Sequence, residues 1–176
     1  MTSISLIRAA ACHLAAARAL YEGAFPPEER RPWQSIVEPL SEVGPRLHII
    51  SLADGSAAGF VTVWLFDGFI YVEHLAVDPA VRGGGIGAST LAELEKIYGL
   101  PIALEVEPPA DDNPMAIRRI GFYRRCGLEV LDFDYIQPPY SENLPSVPLL
   151  LMATPGAPEP SEIAERLYKE VYGVSV

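Results

Sequence analysis

A glycine-rich stretch at residues 81–88, Val-Arg-Gly-Gly-Gly-Ile-Gly-Ala, carries the clearest chemical signal in the sequence. It follows a strand-like run at 69–77 and precedes a helix-like run at 89–98. The first amides of a helix have no partner within the helix, and the helix dipole adds positive potential there. Glycines allow a ligand to approach the backbone closely because they have no Cβ. The stretch therefore predicts an anion-binding site, with Arg82 adding a positive charge beside it.

The pattern differs from two common phosphate-binding motifs. A P-loop ends in Gly-Lys-Ser or Gly-Lys-Thr, which this stretch lacks. The dinucleotide motif fails because Ala88 occupies its third glycine position and no acidic residue follows at the expected distance. The observed pattern, Arg82-x-x-Gly85-x-Gly87 after Leu-Ala-Val-Asp-Pro at 75–79, resembles the pyrophosphate-binding motif of the GNAT superfamily of acyl-CoA N-acyltransferases. The alternative interpretation is a tight, solvated connection between strand and helix.

The resemblance implies that the cofactor is acetyl-CoA and indicates which residues would hold it. Backbone groups of Leu75, Ala76 and Val77 would pair with the pantetheine arm, as an added strand would. A free N–H near Leu75 would polarise the thioester carbonyl. The pyrophosphate would bind the amides of the glycine-rich stretch, which belong to Gly83, Gly84, Gly85, Ile86, Gly87 and Ala88.

A tyrosine on a predicted helix at 115–126 is the candidate general acid. GNAT proteins often use a tyrosine on the helix after the fifth strand, ahead of a Gly-Phe pair, to protonate the leaving thiolate. The run at 120–128 fits this pattern with Leu128 in place of Phe, which makes Tyr123 the candidate. A phenol with a pKa of ~10 can donate to a thiolate of similar basicity. The alternative is a tyrosine that only packs or hydrogen-bonds the thiol.

The same helix departs from the family pattern in one respect. Many members carry an asparagine seven residues before the tyrosine, where it contacts the cofactor arm. Here that position is Ala116, and Asn113 is out of register. Arg118 and Arg119 would either reach the phosphates of the cofactor or face water.

The base that deprotonates the acceptor amine is expected among three glutamates. An ammonium group with a pKa of ~10.4 has no lone pair for attack. The resemblance implies a carboxylate on the fourth or fifth strand, where Glu73 is the first candidate and Glu105 and Glu107 are alternatives. Strand alternation predicts that Glu73 and His74 lie on opposite faces. We interpret His74 as a satisfied, partly buried side chain, and a solvated Glu73 paired with a surface arginine is the alternative to the catalytic role.

Two loops are expected to flank the acceptor, because GNAT enzymes place it between the first two helices and beside the loop before the last strand. These loops lie at 25–33 and 135–140. The candidate substrate contacts are Phe25, Glu28, Glu29, Tyr135 and Tyr140. In this interpretation the glutamates receive an amine and the tyrosines form a wall of the pocket. An equal alternative is that the prolines only stiffen the loops and the glutamates are charges at a helix start.

The predicted elements follow the order of the GNAT fold. Predicted strands cover 3–8, 46–52, 57–66, 69–77, 101–107, 128–133 and 147–153, and predicted helices cover 9–23, 28–43, 89–98, 115–126 and 161–173. Two tight turns make three central strands an antiparallel meander, and a crossover helix makes the fourth and fifth strands parallel. The resemblance implies that these two strands splay apart. We expect an α/β (α+β) fold with a mixed, mostly antiparallel sheet of about six or seven strands flanked by helices.

The chain is expected to form one GNAT domain at 1–153, followed by a linker and a C-terminal helix at 154–176. Ser161 is the expected cap of that helix. Its apolar face, which includes Ile163, Leu167 and Val171, would pack on the same domain or on a partner subunit. A homodimer is therefore left open.

Composition narrows the class of protein. The chain has 176 residues, a formal net charge of −10 and 49% hydrophobic residues, which suffice for a core. Nucleic acid is not expected as a partner, because a duplex-binding surface needs clustered lysine and arginine. No apolar run has the ~18 residues of a membrane span, and no signal peptide is evident. Cys12 and Cys126 lack the spacing of metal ligands, so no metal is expected, and they suit the reducing cytoplasm.

These patterns together predict an acetyl-CoA-dependent N-acetyltransferase. A primary amine of a small molecule or peptide would attack the thioester directly in a ternary complex. One alternative is an acyl-CoA-binding sensor or regulatory module without turnover. A second is a structural or oligomerisation domain with a degenerate site, which predicts no binding of CoA.

Overall fold

The computed structural model describes residues 2–38 and 44–174. Its strands are β1 (Ile4–Arg8), β2 (Arg46–Leu52), β3 (Ala57–Phe66), β4 (Phe69–Val77), β5 (Ile102–Val106), β6 (Glu129–Val130), β7 (Tyr135–Gln137) and β8 (Val147–Ala153). Its helices are α1 (Ala11–Ala24), α2 (Trp33–Val37), α3 (Ile86–Tyr98), α4 (Pro114–Arg125) and α5 (Pro160–Arg166). Short 3-10 turns cover Pro27–Glu29 and Pro79–Val81, and a π-helical turn covers Leu167–Val171.

One mixed sheet forms the centre of the fold. Its strand order is β1-β2-β3-β4-β5-β8-β6, and β7 pairs with β8. Among the strands of the described residues, only β4 and β5 run parallel to each other, because α3 crosses over between them. The predicted fold class is confirmed, but within 2–38 and 44–174 the sheet has eight strands rather than the expected six or seven. The additional strand is β7, which lies in a segment that was expected to be a loop.

The parallel strands β4 and β5 separate near their middle. Their pairing covers 70–72 on β4 and 102–104 on β5, and Val72 with Leu104 is the last pair. Beyond that pair, the edges of both strands face an open space. The splayed arrangement expected for the fourth and fifth strands is therefore present.

A β-bulge in β4 coincides with this separation. The register between β3 and β4 passes from Thr62 with His74 to Val63 with Val72, so Glu73 is the extra residue. The bulge breaks the alternation of side chains. The prediction that Glu73 and His74 lie on opposite faces is therefore wrong, and His74 Nδ1 lies 3.8 Å from Glu73 Oε2.

Helices α3 and α4 cover one face of the sheet. Leu91 and Leu94 of α3 and Ile120 of α4 pack against buried aliphatic residues of β3, β4 and β5. Burial of one such side chain stabilises the fold by roughly 1.5–3 kcal/mol. This layer fixes the start of α3 beside the open edge of β4.

The other face is covered by two separate groups of helices. Tyr21 of α1 and Ile36 of α2 pack near Phe60 at one end of the sheet. Ile163 of α5 and Leu167 of the π-helical turn pack in the cluster that contains Trp64 and Tyr71. The C-terminal segment therefore lies on the sheet, next to the separated strands.

Helix α3 begins at Ile86 rather than at 89, and proline moves the starts of two other helices away from the predicted residues. The helix expected from Glu28 begins only at Trp33, because Pro32 cannot occupy a helix interior and restricts the residue before it. The part of this prediction at 39–43 lies outside the described residues. Helix α5 begins at Pro160 with Glu159 as its N-cap, so Ser161 is not the cap. Within the described residues, no helix is both long and apolar enough to cross a bilayer.

Candidate active site

A cleft of about 750 Å³ opens where β4 and β5 separate. Thirteen of the predicted site residues line it: Phe25, Glu29, Glu73, Leu75, Ala76, Val77, Arg82, Gly83, Gly85, Ile86, Gly87, Tyr123 and Tyr140. Four others, Glu28, Gly84, Ala88 and Tyr135, lie outside the lining. The fold thus brings the glycine-rich stretch, Tyr123 and the candidate bases to one space.

The glycine-rich stretch presents backbone amides at one end of the cleft. Gly83 and Gly85 have φ values of +98° and +75°, which residues with a Cβ rarely adopt. The Ser89 amide donates to the Gly85 carbonyl at 2.9 Å and so begins the hydrogen bonding of α3. Within 2–38 and 44–174, the amides from Gly83 to Ala88 have no backbone acceptor. They are therefore available to an anion.

Two contacts fix the shape of the cleft beside the glycine-rich stretch. A Cβ on Gly87 would lie 3.0 Å from Phe122 Cζ, so the glycine lets α3 and α4 approach each other without displacing the Phe122 ring. Arg82 Nε donates to the Val77 carbonyl at 2.9 Å, which anchors the guanidinium at the end of β4. The positive charge of Arg82 is therefore fixed beside the free amides.

Helix α4 forms a second wall of the cleft. The Tyr123 and Phe122 ring centroids are 5.1 Å apart, and both rings pack against the core. Burial raises the pKa of Tyr123, so its phenol keeps its proton at neutral pH. Arg118 and Arg119 also line the cleft. Arg119 Nη1 lies 2.6 Å from Glu107 Oε2.

Asn113 has a structural function at the start of α4. Its Oδ1 accepts a hydrogen bond from the Ala116 amide at 3.1 Å, which caps the helix. Its Nδ2 lies 3.4 Å from Glu107 Oε1. Asn113 is therefore engaged within the protein, and Ala116 is buried.

The carboxylate of Glu73 is completely enclosed, with a side-chain exposure of 0%. Its Oε1 accepts hydrogen bonds from Arg31 Nε at 2.8 Å and from the Tyr140 hydroxyl at 2.9 Å. Its Oε2 accepts from Trp64 Nε1 at 2.9 Å. Burial raises the pKa of Glu73, but the Arg31 charge and the hydrogen bonds outweigh burial, so the pKa is lower than usual. Glu73 is therefore a fixed anion at neutral pH.

Arg31, the partner of Glu73, was missed by the sequence interpretation. Its guanidinium carbon lies 5.0 Å from the Trp64 ring centroid and 5.1 Å from the Tyr140 centroid, which are cation–π distances. Its Nη2 donates to the Val171 carbonyl at 2.5 Å. No motif surrounds Arg31, and its only signal was its place in a loop that was expected to flank the acceptor.

The carboxylate of Glu105 is held by three tyrosines. Its Oε2 accepts hydrogen bonds from the Tyr71 hydroxyl at 2.7 Å and from the Tyr172 hydroxyl at 2.8 Å. Its Oε1 accepts from the Tyr135 hydroxyl. Burial raises the pKa of Glu105 to about 7, against the opposing effect of the three donors, and the negative charge of Glu73 adds to the rise. A carboxylate that titrates near neutral pH and lines a cleft is suited to proton transfer.

His74 is a buried, hydrogen-bonded side chain. Its Nε2 lies 3.0 Å from the Glu29 carbonyl, and its Nδ1 lies 3.2 Å from Thr62 Oγ1. A neutral ring with its proton on Nε2 satisfies both contacts, and burial lowers the pKa of His74. The ring is more buried than the sequence indicated, with 3% exposure.

The two loops that are expected to flank the acceptor meet beside the cleft, where Arg31 of the first lies over the Tyr140 ring of the second. Phe25 and Glu29 of the first loop and Tyr140 of the second line the cleft. Burial raises the pKa of Glu29, and the charge of Glu107 adds to this effect. The Tyr135 ring is buried and contacts Glu105 through its hydroxyl rather than forming the wall.

A sequence profile of the Acetyltransferase (GNAT) family matches residues 14–128. This range includes the glycine-rich stretch, Glu73, Glu105 and Tyr123. The chain therefore belongs to the GNAT family of acetyltransferases, and it is an acyltransferase of the class that generally binds acetyl-CoA.

Individual relatives agree with this class. A structure from Bacteroides thetaiotaomicron, named as a candidate GNAT acetyltransferase, is 36% identical, covers 98% of this chain and 99% of its own, and has a TM-score of 0.84. Naa50 of Arabidopsis thaliana, solved with the bisubstrate analogue CoA-Ac-MVNAL, shares the fold, with a TM-score of 0.61 and 21% identity over 86% of this chain and 98% of its own. YjbC of Bacillus subtilis, named as a candidate acetyltransferase, is 43% identical over 60 residues, which are 34% of this chain and 31% of YjbC.

Proposed function

We propose that this protein transfers an acetyl group from acetyl-CoA to a primary amine by direct attack in a ternary complex. The observation that carries the proposal is the continuity of one cleft from the free amides of the glycine-rich stretch to the carboxylate of Glu105. The free amides suit the phosphates of the cofactor, and a carboxylate that titrates near neutral pH suits the removal of a proton from the acceptor amine.

The cofactor occupies the end of the cleft that α3 and α4 form. The pyrophosphate lies on the amides of the glycine-rich stretch, beside Arg82. The pantetheine arm pairs with β4 at Leu75, Ala76 and Val77, where the strand has lost β5 as a neighbour. This places the thioester next to the separated strands and near Tyr123.

The base in this proposal is Glu105 rather than Glu73. Glu73 accepts three hydrogen bonds and pairs with Arg31, so it binds a further proton poorly. Glu105 takes a proton from the bound ammonium, either directly or through water, and the freed amine attacks the thioester carbon. The C–S bond then breaks, and Tyr123 protonates the departing thiolate.

The acceptor enters the cleft between the two loops. Phe25 and Tyr140 provide an aromatic wall, and Glu29 faces the same space. The negative charges of Glu29, Glu73 and Glu105 favour an amine that arrives as a cation, from a small molecule or a peptide.

The first experiment is thermal denaturation with and without acetyl-CoA for the wild type, Gly85→Glu and Gly55→Glu. Both glycines have positive φ, +75° and +85°, and open space around the Cβ position, so the two variants carry the same backbone strain. Only Gly85→Glu places a carboxylate at the anion site. A ligand at a hundredfold excess over Kd stabilises the folded state by ~2.7 kcal/mol. We expect this stabilisation in the wild type and in Gly55→Glu, and its loss in Gly85→Glu.

Release of CoA is then measured over a panel of amines. Turnover of any primary amine supports the proposed reaction. Stabilisation without release of CoA over a broad panel would instead support an acyl-CoA-binding module. No stabilisation of the wild type would overturn the assignment of the cofactor.

A further inference from the structure

Two of the three hydroxyls that hold Glu105 come from outside the segment that matches the family profile. The match ends at residue 128, whereas Tyr135 lies on β7 and Tyr172 follows the π-helical turn. Only Tyr71, on β4, lies within the matched segment. The environment of Glu105 is therefore built largely by parts of this chain beyond the matched segment.

The last residue of the π-helical turn and the residue after it contact the two carboxylate networks. The Val171 carbonyl accepts a hydrogen bond from Arg31 Nη2, the partner of Glu73. The Tyr172 hydroxyl donates to Glu105 Oε2 at 2.8 Å. A single turn thereby fixes the distance of the C-terminal segment from both carboxylates.

The geometry of the turn explains the direction of Tyr172. The Tyr172 amide donates to the Leu167 carbonyl at 3.0 Å, a bond that spans five residues instead of four. Leu167 and Val171 are both buried in the cluster with Trp64, which anchors the turn to the sheet. The Tyr172 ring also lies 5.1 Å from the Tyr140 ring, so the aromatic wall supports its position.

We propose that Tyr172 is a positioning residue for acyl transfer, because its hydroxyl fixes the Glu105 carboxylate, in its anionic form, at the open end of β5. The proposal rests on the proposed function, in which Glu105 is the base. It assigns to the C-terminal segment a role in the reaction in addition to its contribution to the core.

The groups that face Glu105 determine how its pKa should change when the Tyr172 hydroxyl is removed. Tyr71 from β4, Tyr135 from β7 and Tyr172 from the C-terminal segment donate hydrogen bonds, which favour the charged form. Glu73, from the bulge of β4, opposes that form through its negative charge. Loss of one donor should therefore raise the pKa of Glu105, by about one unit for a bond to a charged group.

The test compares Tyr172→Phe with Tyr168→Phe as the matched control. Tyr168 lies on the same π-helical turn and stacks on Tyr135 at 5.4 Å. Two quantities are measured: the pH dependence of kcat/KM, and the 13C NMR titration of the Glu105 carboxyl, assigned with Glu105→Gln. In Tyr172→Phe, we expect both midpoints to rise by about one pH unit with unchanged binding of acetyl-CoA. In Tyr168→Phe, both stay at the wild-type values.

A third variant keeps the test decisive if Tyr172→Phe folds poorly. Incorporation of 3-fluorotyrosine at position 172 retains the ring and makes the hydroxyl a stronger donor, so both midpoints should fall. An unchanged pH profile in a folded variant would overturn the proposal. If no amine is acetylated, the proposed function fails, and the NMR titration alone then tests whether Tyr172 holds Glu105. A midpoint that moves supports this contact, and one that does not move refutes it.

Discussion

Glu73 and Glu105 occupy equivalent places on the two sides of the opening between β4 and β5. Each is the residue directly after the last paired positions of the two strands, Val72 and Leu104. Glu73 has a cation, Arg31, at 2.8 Å, whereas Glu105 has three hydroxyl donors and no cationic partner among the described residues. Two identical side chains therefore differ in proton affinity, and the proposed roles follow from this difference.

Replacement of Glu105 by glutamine should lower turnover by about 10²–10⁴, the usual contribution of a general base. The dependence of kcat/KM on pH near 7 should disappear, because the group with a pKa of about 7 is removed. Binding of acetyl-CoA, measured by thermal shift, should be unchanged. The control is Glu95→Gln on the exposed side of α3. Turnover that survives in Glu105→Gln would exclude Glu105 as the base and leave Glu73 and Glu107, which both line the cleft, as the candidates.

Glu105 should also make the free energy of unfolding depend on pH. Its pKa is about 7 in the folded protein and ~4.3 in the unfolded chain, so the folded state binds the proton more tightly. The contribution to stability is fully present below pH ~4.3 and is lost as pH rises to about 7. Urea titrations at several pH values should show this decline in the wild type but not in Glu105→Gln. If the free energy of unfolding depended on pH equally in the two proteins, the raised pKa of Glu105 would be contradicted.

Removal of Arg31 should destabilise the protein through Glu73. Arg31→Met leaves a buried carboxylate without its cation, which costs about 3–5 kcal/mol. The double variant Arg31→Met with Glu73→Gln should recover much of this loss, since no buried charge remains. Arg18→Met, which removes an exposed pair whose arginine side chain is 57% exposed, should cost at most about 1 kcal/mol. Additive effects in the double-mutant cycle would contradict direct coupling between Arg31 and Glu73.

Tyr123→Phe should lower kcat while leaving acetyl-CoA binding unchanged. Loss of a general acid costs about 10²-fold or more in rate. The control is Tyr98→Phe, which removes a hydroxyl that bonds His48 at 2.8 Å outside the cleft. Steady-state kinetics of both variants separate the two explanations of Tyr123. An unchanged kcat in Tyr123→Phe would leave only a packing role.

Gly87→Val should weaken the binding of acetyl-CoA by pushing α3 away from α4. The new Cβ would start 3.0 Å from Phe122 Cζ, which is closer than ordinary contact. Phe122→Leu should restore part of the binding in the double variant. Gly23→Ala in α1, where no atom lies within 4 Å of the new Cβ, is the control and should leave binding unchanged. Isothermal titration with acetyl-CoA measures all four proteins.

Local signals predicted the framework of the fold. The bounds of β3 and β4 agree with the prediction residue for residue. The turns that contain Gly55 and Gly68 limit β3 on both sides, and β4 lies between the Gly68 turn and Asp78-Pro79. The bulge at Glu73 was not predictable from the strand itself. It depends on the register with β3, which a single strand sequence does not encode.

The candidate site likewise contains some residues that local sequence predicts and others that only the tertiary fold brings together. The glycine-rich stretch and Tyr123 lie in continuous motifs, and the sequence alone identified them. The partners of the carboxylates come from distant segments: Arg31 contacts Glu73 across 42 positions, and Tyr172 contacts Glu105 across 67. No periodicity or spacing encodes such contacts, because only the tertiary fold brings the segments together.

The enclosure of Glu73 gives the protein an intrinsic optical probe. The chain has two tryptophans, and Trp64 donates its indole N–H to Glu73 with 5% of its surface exposed. Emission from an indole responds to nearby charges, and Trp64 contacts both the Arg31 guanidinium and the Glu73 carboxylate. In a Trp33→Phe background, the tryptophan fluorescence would arise from this one ring. The colour of its emission would then report a change in the Arg31–Glu73 pair, without a label or a coupled assay.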